Sequence, residues 1–438
     1  MAGDAIGVGM IGCGTVGSGV VKLLVEEAAL YQQRLGRPLE LRTVLCRRED
    51  VGESTRQVPE GRLVHDADAF FEAADDCGVI LELAGGKGFA LDMVRRALEA
   101  GKHVVTANKA LLAAHGQELF ALARAKGVSI AFEASCGGGI PIITAMQFNL
   151  LANRITAMHG ILNGTSNYIL TQMTEHGATY DQALADAQRL GYAEADPTLD
   201  VGGGDAAHKL AILASLAFGL SVRDEQVPCT GVDTLDLADV RFGAELGYKV
   251  KLLASAEQTP EGLALQVAPC FVDQREQLAQ VGGSFNALSI YGHAVGHTLY
   301  YGRGAGQMPT ASAVVGDLMS IADGAYPAAF ERLAMWPDQQ ASASPVDPGA
   351  LVSRYFLRIN ALDVPGVVAE FSRVLGEEGI SIAAVAQHES KAGQFVPVVI
   401  VTHEAKAGAM ASAVERIAAL DQIEGEPKLL RIIDMPAG

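Results

Sequence analysis

Two kinds of apolar patterning follow one another along the chain, and the change between them divides it. Through the first 140 residues, short apolar runs of strand length alternate with longer stretches whose apolar positions recur at helical spacing. AIGVGMIGCG (5–14) reads as a buried strand entering a turn. TVGSGVVKLLVEEAALYQQRLG (15–36) reads as one helix with a glycine just past its end. LELRTVLCRR (39–48), CGVILELAGG (77–86), HVVTAN (103–108) and VSIAFEAS (128–135) are further strands, with helices at 91–102 and 111–127. Strands alternating with helices predict an α/β region: a Rossmann-type, doubly wound parallel sheet covered on both faces.

From about 140 to 320 the pattern turns largely helical (140–152, 165–177, 179–191 and 205–219), with strand-like runs at 248–256, 263–272 and 297–304. This predicts an α+β domain. Residues 324–350 hold four prolines and read as a linker. Beyond it, RYFLRIN, PGVVAEFSRVLGEEG, ISIAAVAQHE, FVPVVIVTH, GAMASAVERIAAL and PKLLRII give the order β-α-β-β-α-β of a ferredoxin-like unit. The expected division is 1–140 for a nucleotide domain, 141–323 for a catalytic and dimerisation domain whose last part returns to the first, 324–350 for the linker and 351–433 for the small unit.

Composition narrows the function. The 438 residues are 49% apolar and 19% charged, which suits a globular chain with a full core. A net charge of −18 argues against nucleic acid, whose phosphates want clustered Lys and Arg. No apolar run reaches bilayer length, so no membrane span is expected, and MAGDAIGVGM lacks the positive region of a secretory signal. The six scattered cysteines form no C-x-x-C and no zinc spacing, as expected of a cytoplasmic chain with free thiols.

The first candidate chemistry is Gly12, Gly14 and Gly17, which fit G-x-G-x-x-G between a strand and a helix. In that context the three serve a tight turn, close approach of the backbone to a pyrophosphate, and close helix–strand packing. The second strand ends in Cys46, Arg47 and Arg48, where an NAD site wants an acid for the ribose hydroxyl. Two guanidiniums favour the 2′-phosphate of NADP; if they simply face solvent, NAD remains usable. Asp205 and Lys209, four apart on a helix, share one face, and Glu194 precedes them in a Gly/Pro-rich loop. Such a group suits a substrate with an amine and a hydroxyl: carboxylates for the cation, the lysine to exchange a proton with the oxygen. The spacing alone more often means a surface salt bridge. His208 reads as a packing residue. Thr106 and Lys109 fall at the carboxyl edge of the first sheet, where α/β ligands bind. EASCGGGIPII (133–143) offers carbonyls that suit a hard cation together with Glu133, or a plain flexible turn. NGTSNYIL (163–170) precedes a helix with capping residues.

With IGCGTVG, ANKALL, EASCGGGIPII, NGTSNYIL, GYAEADPTLDVGGGDAAHK and GAGQMPTASAVVGDL in this order, the chain resembles the homoserine dehydrogenases from about residue 6 to 320, with an ACT-like domain after it. The resemblance implies interconversion of L-homoserine and L-aspartate 4-semialdehyde with NADP or NAD, on the route to threonine, methionine and isoleucine. It implies Lys209 as proton donor and acceptor at the substrate oxygen, Glu194 and Asp205 as substrate binders, and Lys109 between substrate and cofactor. Thr15, Val16, Arg47, Arg48, Thr106, Gly191 and Gly306 fall where the family lines its cofactor site. The family's sodium-like site would use Glu133 with the carbonyls of Cys136, Gly138 and Ile140. Cys136 stands where valine is common, and would confer oxidant sensitivity only if exposed. Asn360, Asp363 and Gly366, taken to lie in a strand-to-helix turn, are the expected effector residues, with threonine as effector or the domain serving assembly alone. A homodimer or homotetramer is expected, without an aspartate-kinase segment ahead of residue 1. Another amino-acid dehydrogenase and an inactive amino-acid sensor are the alternatives.

Overall fold

β1 (Ile6–Ile11) is buried at every position, as a strand inside a sheet covered on both faces must be. Around it β2 (Leu39–Leu45), β3 (Leu63–Val64), β4 (Cys77–Glu82), β5 (His103–Thr106) and β6 (Ile130–Ala131) stand in the order β3-β2-β1-β4-β5-β6. Every pairing is parallel. This is the doubly wound order, whose ligand crevice lies at the carboxyl ends of β1 and β4, where the strand order reverses. The two-residue β3 is too short to show in any periodicity. The stretch 15–36 forms two helices, α1 (Thr15–Glu26) and α2 (Ala28–Leu35), because Glu27 leaves helical geometry. Its N–H still reaches the Leu23 carbonyl at 3.0 Å, so the ladder bends there.

The computed structural model describes residues 4–388 and 393–436; Glu389, the end of the strand expected at 380–389, lies outside them. The chain forms two units. One comprises Met1–Ile155, His208–Glu225 and Gly292–Ala343, the other Thr156–Ala207, Gln226–Tyr291 and Ser344–Gly438. The first unit thus takes in more than the nucleotide-type sheet. Helix Gln307–Ala322 returns to pack on α1 so closely that a Cβ on Gly19 would lie 2.9 Å from the Gln307 side chain.

The segment 324–350 is more ordered than its prolines suggest. Ala325–Arg332 is helical, and Ala341–Ser342 pairs with Leu220–Ser221. Trp336 is fully buried, with ring centroids 5.1 Å from Phe330 and 5.9 Å from Phe120. Arg124 forks onto Asp338. A large aromatic anchor outweighs turn-forming composition here.

The second unit is built on one mixed sheet. Its strands run in the order Phe285–Gly292, Ile155–Ile161, Tyr248–Thr259, Gly262–Asp273, Lys428–Ile433, Val352–Leu362, Phe395–Thr402, Ile382–Gln387. The last four belong to the ferredoxin-like unit, and helices Val367–Glu377 and Ala407–Ala418 complete it. Leu357, Phe371, Ile400 and Met410 are among its core residues. Its final strand lies parallel to Gly262–Asp273, with Cys270–Val272 opposite Arg431–Ile433, so the small unit extends the larger sheet. Arg358 reinforces the join with bonds of 2.6 Å to the fully buried Asp239 and 2.8 Å to Asp236.

Among the described residues no helix is long and apolar enough to cross a membrane. All six cysteines are free; Cys229 is exposed and the other five are buried.

Candidate active site

In the first unit the three glycines each show a distinct need. Gly12 has φ +92°, and a Cβ there would lie 2.7 Å from the Ala84 nitrogen. A Cβ on Gly17 would collide with the Gly12 carbonyl oxygen, whereas one on Gly14 would meet nothing within 4 Å. The turn is therefore tight at the first glycine, closely packed at the third and open at the second. This is the pattern a pyrophosphate needs to approach the start of α1, where unpaired N–H groups carry partial positive charge. Thr15 and Val16 form the first turn of that helix. A cavity of about 690 Å³ opens here, lined by Gly14, Thr15, Ser18, Lys22, Arg56 and Gln307 among others. The residues present fit a dinucleotide.

Arg47 and Arg48 follow β2 and are exposed. Arg47 is already forked onto Asp50 at 2.7 and 3.1 Å. Arg56, overlooked in the sequence, lies on the cavity wall instead, because the 3₁₀ turn Glu53–Thr55 delivers it there. Nothing in its local pattern marks it, since the placement depends on how the loop after β2 folds back.

At the carboxyl edge of β4 and β5 a buried carboxylate organises the backbone. Glu82 accepts from the Ala84 and Gly85 N–H groups at 3.0 Å each, and from Thr106 Oγ1 at 2.6 Å. Thr106 in turn accepts from the Asn108 N–H, and Asn108 caps the helix that opens at Lys109. Thr106 is buried and Lys109 half-buried. Glu82 was also missed; a lone acid at a strand end carries no signal until its neighbours are known. Gly306 (φ +126°) caps helix Gln307–Ala322 in the same unit.

The glycine-rich loop after β6 is shaped by two buried acids. The Glu133 carboxylate accepts from the Ile143 N–H at 2.9 Å and the Thr144 N–H at 2.7 Å, and from the Thr144 hydroxyl. It thus caps a helix start. Burial pushes its carboxyl above the usual range against those donors. Asp317 accepts from the Glu133 N–H at 2.8 Å; burial, then the Glu133 charge, raises its carboxyl well above normal. Gly138 needs its positive φ of +55° and sits against the Gly304 backbone, and Ile140 donates its N–H to Gly137. Cys136 is fully buried, its thiol pushed up to about 12 by desolvation, and its sulfur lies 3.9 Å from the Lys209 carbonyl oxygen. It is buried as a packing residue is.

Asp205 and Lys209 lie one turn apart on helix Gly204–Phe218, only 5% and 8% exposed. A surface salt bridge is excluded by that burial. The division between the units falls inside this helix, so Lys209 belongs with the glycine turn and Asp205 with Glu194. His208 pairs with Asp224 at 3.1 Å, as a packing residue would. Around Asp205 the second unit builds a polar lattice. Asn163 caps helix Gly164–His176 through the Ser166 N–H, and its amide donates to Asp205 at 2.9 Å and Asp200 at 2.8 Å. Thr165 and Ser166 donate to Asp200 as well. Asp200, five before Asp205, was missed because its meaning lies in Asn163, 37 residues away. Glu194 is exposed, its main-chain oxygen taking a bond from Gln188, and Gly191 (φ +75°) follows helix Tyr180–Arg189.

In the small unit Asp363 and Gly366 lie in the turn before helix Val367–Glu377, with Gly366 at φ +97° as its cap. Asn360 does not lie in that turn. It stays in strand Val352–Leu362 because the ladder continues through it to Pro397, and its amide bonds Glu424 at 2.7 Å.

A doubly wound dinucleotide fold, a buried Asp–Lys pair and an appended ferredoxin-like unit together define a nicotinamide-linked oxidoreductase with an ACT-type domain. Comparison with known proteins agrees. Residues 12–133 match the homoserine dehydrogenase NAD-binding domain, 141–319 the homoserine dehydrogenase domain and 355–419 the ACT domain. Over 430 residues the chain is 43% identical to homoserine dehydrogenase of Pseudomonas aeruginosa, covering 97% of this chain and 98% of that protein. A crystal structure of a homoserine dehydrogenase from Thiobacillus denitrificans superposes with a TM-score of 0.92 at 40% identity, covering 99% of this chain and all of that one. A hyperthermophilic archaeal homoserine dehydrogenase in complex with NADPH superposes at 0.60 with 25% identity, covering 72% of this chain and 97% of its own. The chain belongs to the homoserine dehydrogenase family and is an NAD(P)-dependent oxidoreductase acting on a CH–OH group.

Proposed function

We propose that the chain interconverts L-homoserine and L-aspartate 4-semialdehyde with Lys209 as the group that gives and takes the hydroxyl proton. The observation that carries this reading is the burial of Lys209 one turn from an equally buried Asp205. A bound nicotinamide dinucleotide supplies or accepts the hydride. Asp205, held by Asn163, and Glu194 bind the substrate ammonium, and Lys109 positions the substrate against the cofactor. Water exclusion around Lys209 strengthens its interaction with the developing alkoxide. The reaction serves threonine, methionine and isoleucine formation in the cytoplasm, carried out by a homodimer or homotetramer.

NADP is the preferred cofactor. The missing acid at the end of β2, the exposed Arg47 and Arg48 and the cavity-lining Arg56 support this, as does the NADPH named for the archaeal relative. A monovalent cation such as sodium is held by Glu133 and the main-chain oxygens of Cys136, Gly138 and Ile140. Threonine acts at the Asp363–Gly366 turn by shifting a two-state equilibrium.

The test is a steady-state assay with homoserine and each cofactor. Lys209→Ala is expected to lower kcat by about 10³-fold with cofactor binding kept; full turnover would end the assignment. Arg56→Gln is expected to raise KM for NADP and leave that for NAD. Asp363→Ala in the full chain should abolish threonine inhibition without lowering basal kcat. Truncation before residue 350 is a poor substitute, because it would strip a paired strand from Gly262–Asp273.

A further inference from the structure

Both ends of the Asn163 amide have partners, and the partners fix which way it points. Its Oδ1 accepts from the Ser166 N–H at 2.8 Å. Its Nδ2 donates to Asp200 Oδ1 at 2.8 Å and to Asp205 Oδ2 at 2.9 Å. A flipped amide would set an oxygen against two carboxylates and a nitrogen against an N–H, so only one orientation is satisfied. Asn163 is buried, as Asp205 is.

The backbone around the amide is anchored. Asn163 caps helix Gly164–His176, and a Cβ on Gly164 would lie 2.8 Å from the Ser284 carbonyl oxygen. One turn on, Asn167 donates to the carbonyls of Val281, Gly283 and Phe285. Asp200 is tied to the same helix start: its side chain accepts from Thr165 Oγ1 at 3.3 Å and its main-chain oxygen from Ser166 Oγ at 2.9 Å. The helix start therefore fixes Asn163 and Asp200, and the amide carries that order to Asp205.

One nitrogen serving two acids places their oxygens within about 6 Å of one another, close enough for each charge to disfavour the other. Two N–H bonds to the charged forms offset that repulsion. Without them one acid of the pair would take up a proton or turn away. A neutral or misdirected Asp205 holds an ammonium poorly.

We propose that Asn163 is the positioning residue of the substrate-ammonium site, its amide holding Asp205 beside Asp200 in the charged and correctly aimed form. Affinity for homoserine then depends on a side chain that acts only through Asp205. The inference rests on the reading of Asp205 as a binder of the substrate ammonium.

Steady-state assays on the full chain with Asn163→Ser and Asn163→Asp separate this role from capping, since Ser and Asp cap helices about as well as Asn. The serine variant keeps a cap and loses the amide N–H groups. Its KM for homoserine is expected to rise about tenfold between pH 6 and 9, with kcat falling less. The aspartate variant keeps size and cap but sets a third carboxylate against Asp200 and Asp205, the ionisable groups bonded to the amide. Relative to wild type, its KM is expected to rise about 100-fold at pH 9 and to recover towards pH 6, as the three acids take up a proton that one can donate. Dinucleotide binding, read by fluorescence, should be kept in both; if the aspartate variant does not fold, the serine variant decides alone. Asp205→Asn tests the underlying reading, and an unchanged homoserine KM there ends both. If Asp205→Asn raises KM while the Asn163 variants keep the wild-type value, or while the aspartate variant follows the wild-type pH profile, Asn163 is a cap alone and only this inference falls.

Discussion

The two units hold themselves together by different means. In the first, the backbone does most of the positioning: a parallel sheet whose ladders, the β1–β4 crossover apart, join consecutive strands, glycines that let α1 approach β1, and a carboxylate at Glu82 bonded to main-chain N–H groups. In the second, charged side chains fasten segments far apart in sequence, as Arg124 and Asp338 do once in the first. Arg358 reaches across 119 residues to Asp239, and Lys251 reaches Val281 with its ammonium at 2.6 Å. Backbone devices depend on small residues at fixed spacing, whereas buried charges depend on a partner chosen by the fold. The first kind therefore tolerates change of neighbours but not of glycines, and the second kind the reverse.

The largest effect should come from breaking a charge clamp. Arg358→Met leaves Asp239 buried without its partner, and such losses cost about 3–5 kcal/mol. Chemical denaturation should show that drop in the unfolding of the second unit; a loss under about 1 kcal/mol would mean that Asp239 finds another partner.

Lys251 sharpens the contrast through pH. Burial first, then the neighbouring Lys249, bring its ammonium down from 10.5 to about 8. Below pH 8 the lysine is protonated folded and unfolded, and the penalty is constant. Between about 8 and 10.5 the unfolded chain binds the extra proton, so stability rises with pH, by about 3 kcal/mol at ~1.4 kcal/mol per unit. Lys251→Met should remove that rise. Denaturant titrations from pH 7 to 10.5 on both proteins decide it, and matching slopes would discard the account.

The glycine turn yields the smallest changes and the cleanest separation. Gly17→Ala forces its Cβ onto the Gly12 carbonyl and should cost about 1–3 kcal/mol, as overpacking does. Gly14→Ala meets no protein atom within 4 Å; it should leave Tm unchanged while weakening dinucleotide binding, read by fluorescence titration. A Tm loss as large as that of Gly17→Ala would contradict the division of labour among the three glycines.

The same contrast explains what could be read from the residues. Strand–helix alternation announced the first sheet, and G-x-G-x-x-G announced its turn, because both are local patterns. Asp205 and Lys209 were legible through their four-residue spacing, though only their burial separates them from a surface pair. Asn163 stood out as a cap, but its second task of bridging Asp200 and Asp205 depends on partners about 40 residues away. The fusion of the ACT strands onto Gly262–Asp273 joins residues more than 150 apart, and no pattern along the chain records it. Arg56 and the Trp336 anchor were missed for the same reason.

Cys229 pairs with Val267 of strand Gly262–Asp273, and it alone of the six thiols is exposed. Burial of part of its surroundings raises its thiol, so conjugation to a maleimide dye proceeds best at mildly alkaline pH. An environment-sensitive fluorophore can therefore be attached there without any mutagenesis, turning the native chain into its own optical reporter of changes around strand Gly262–Asp273.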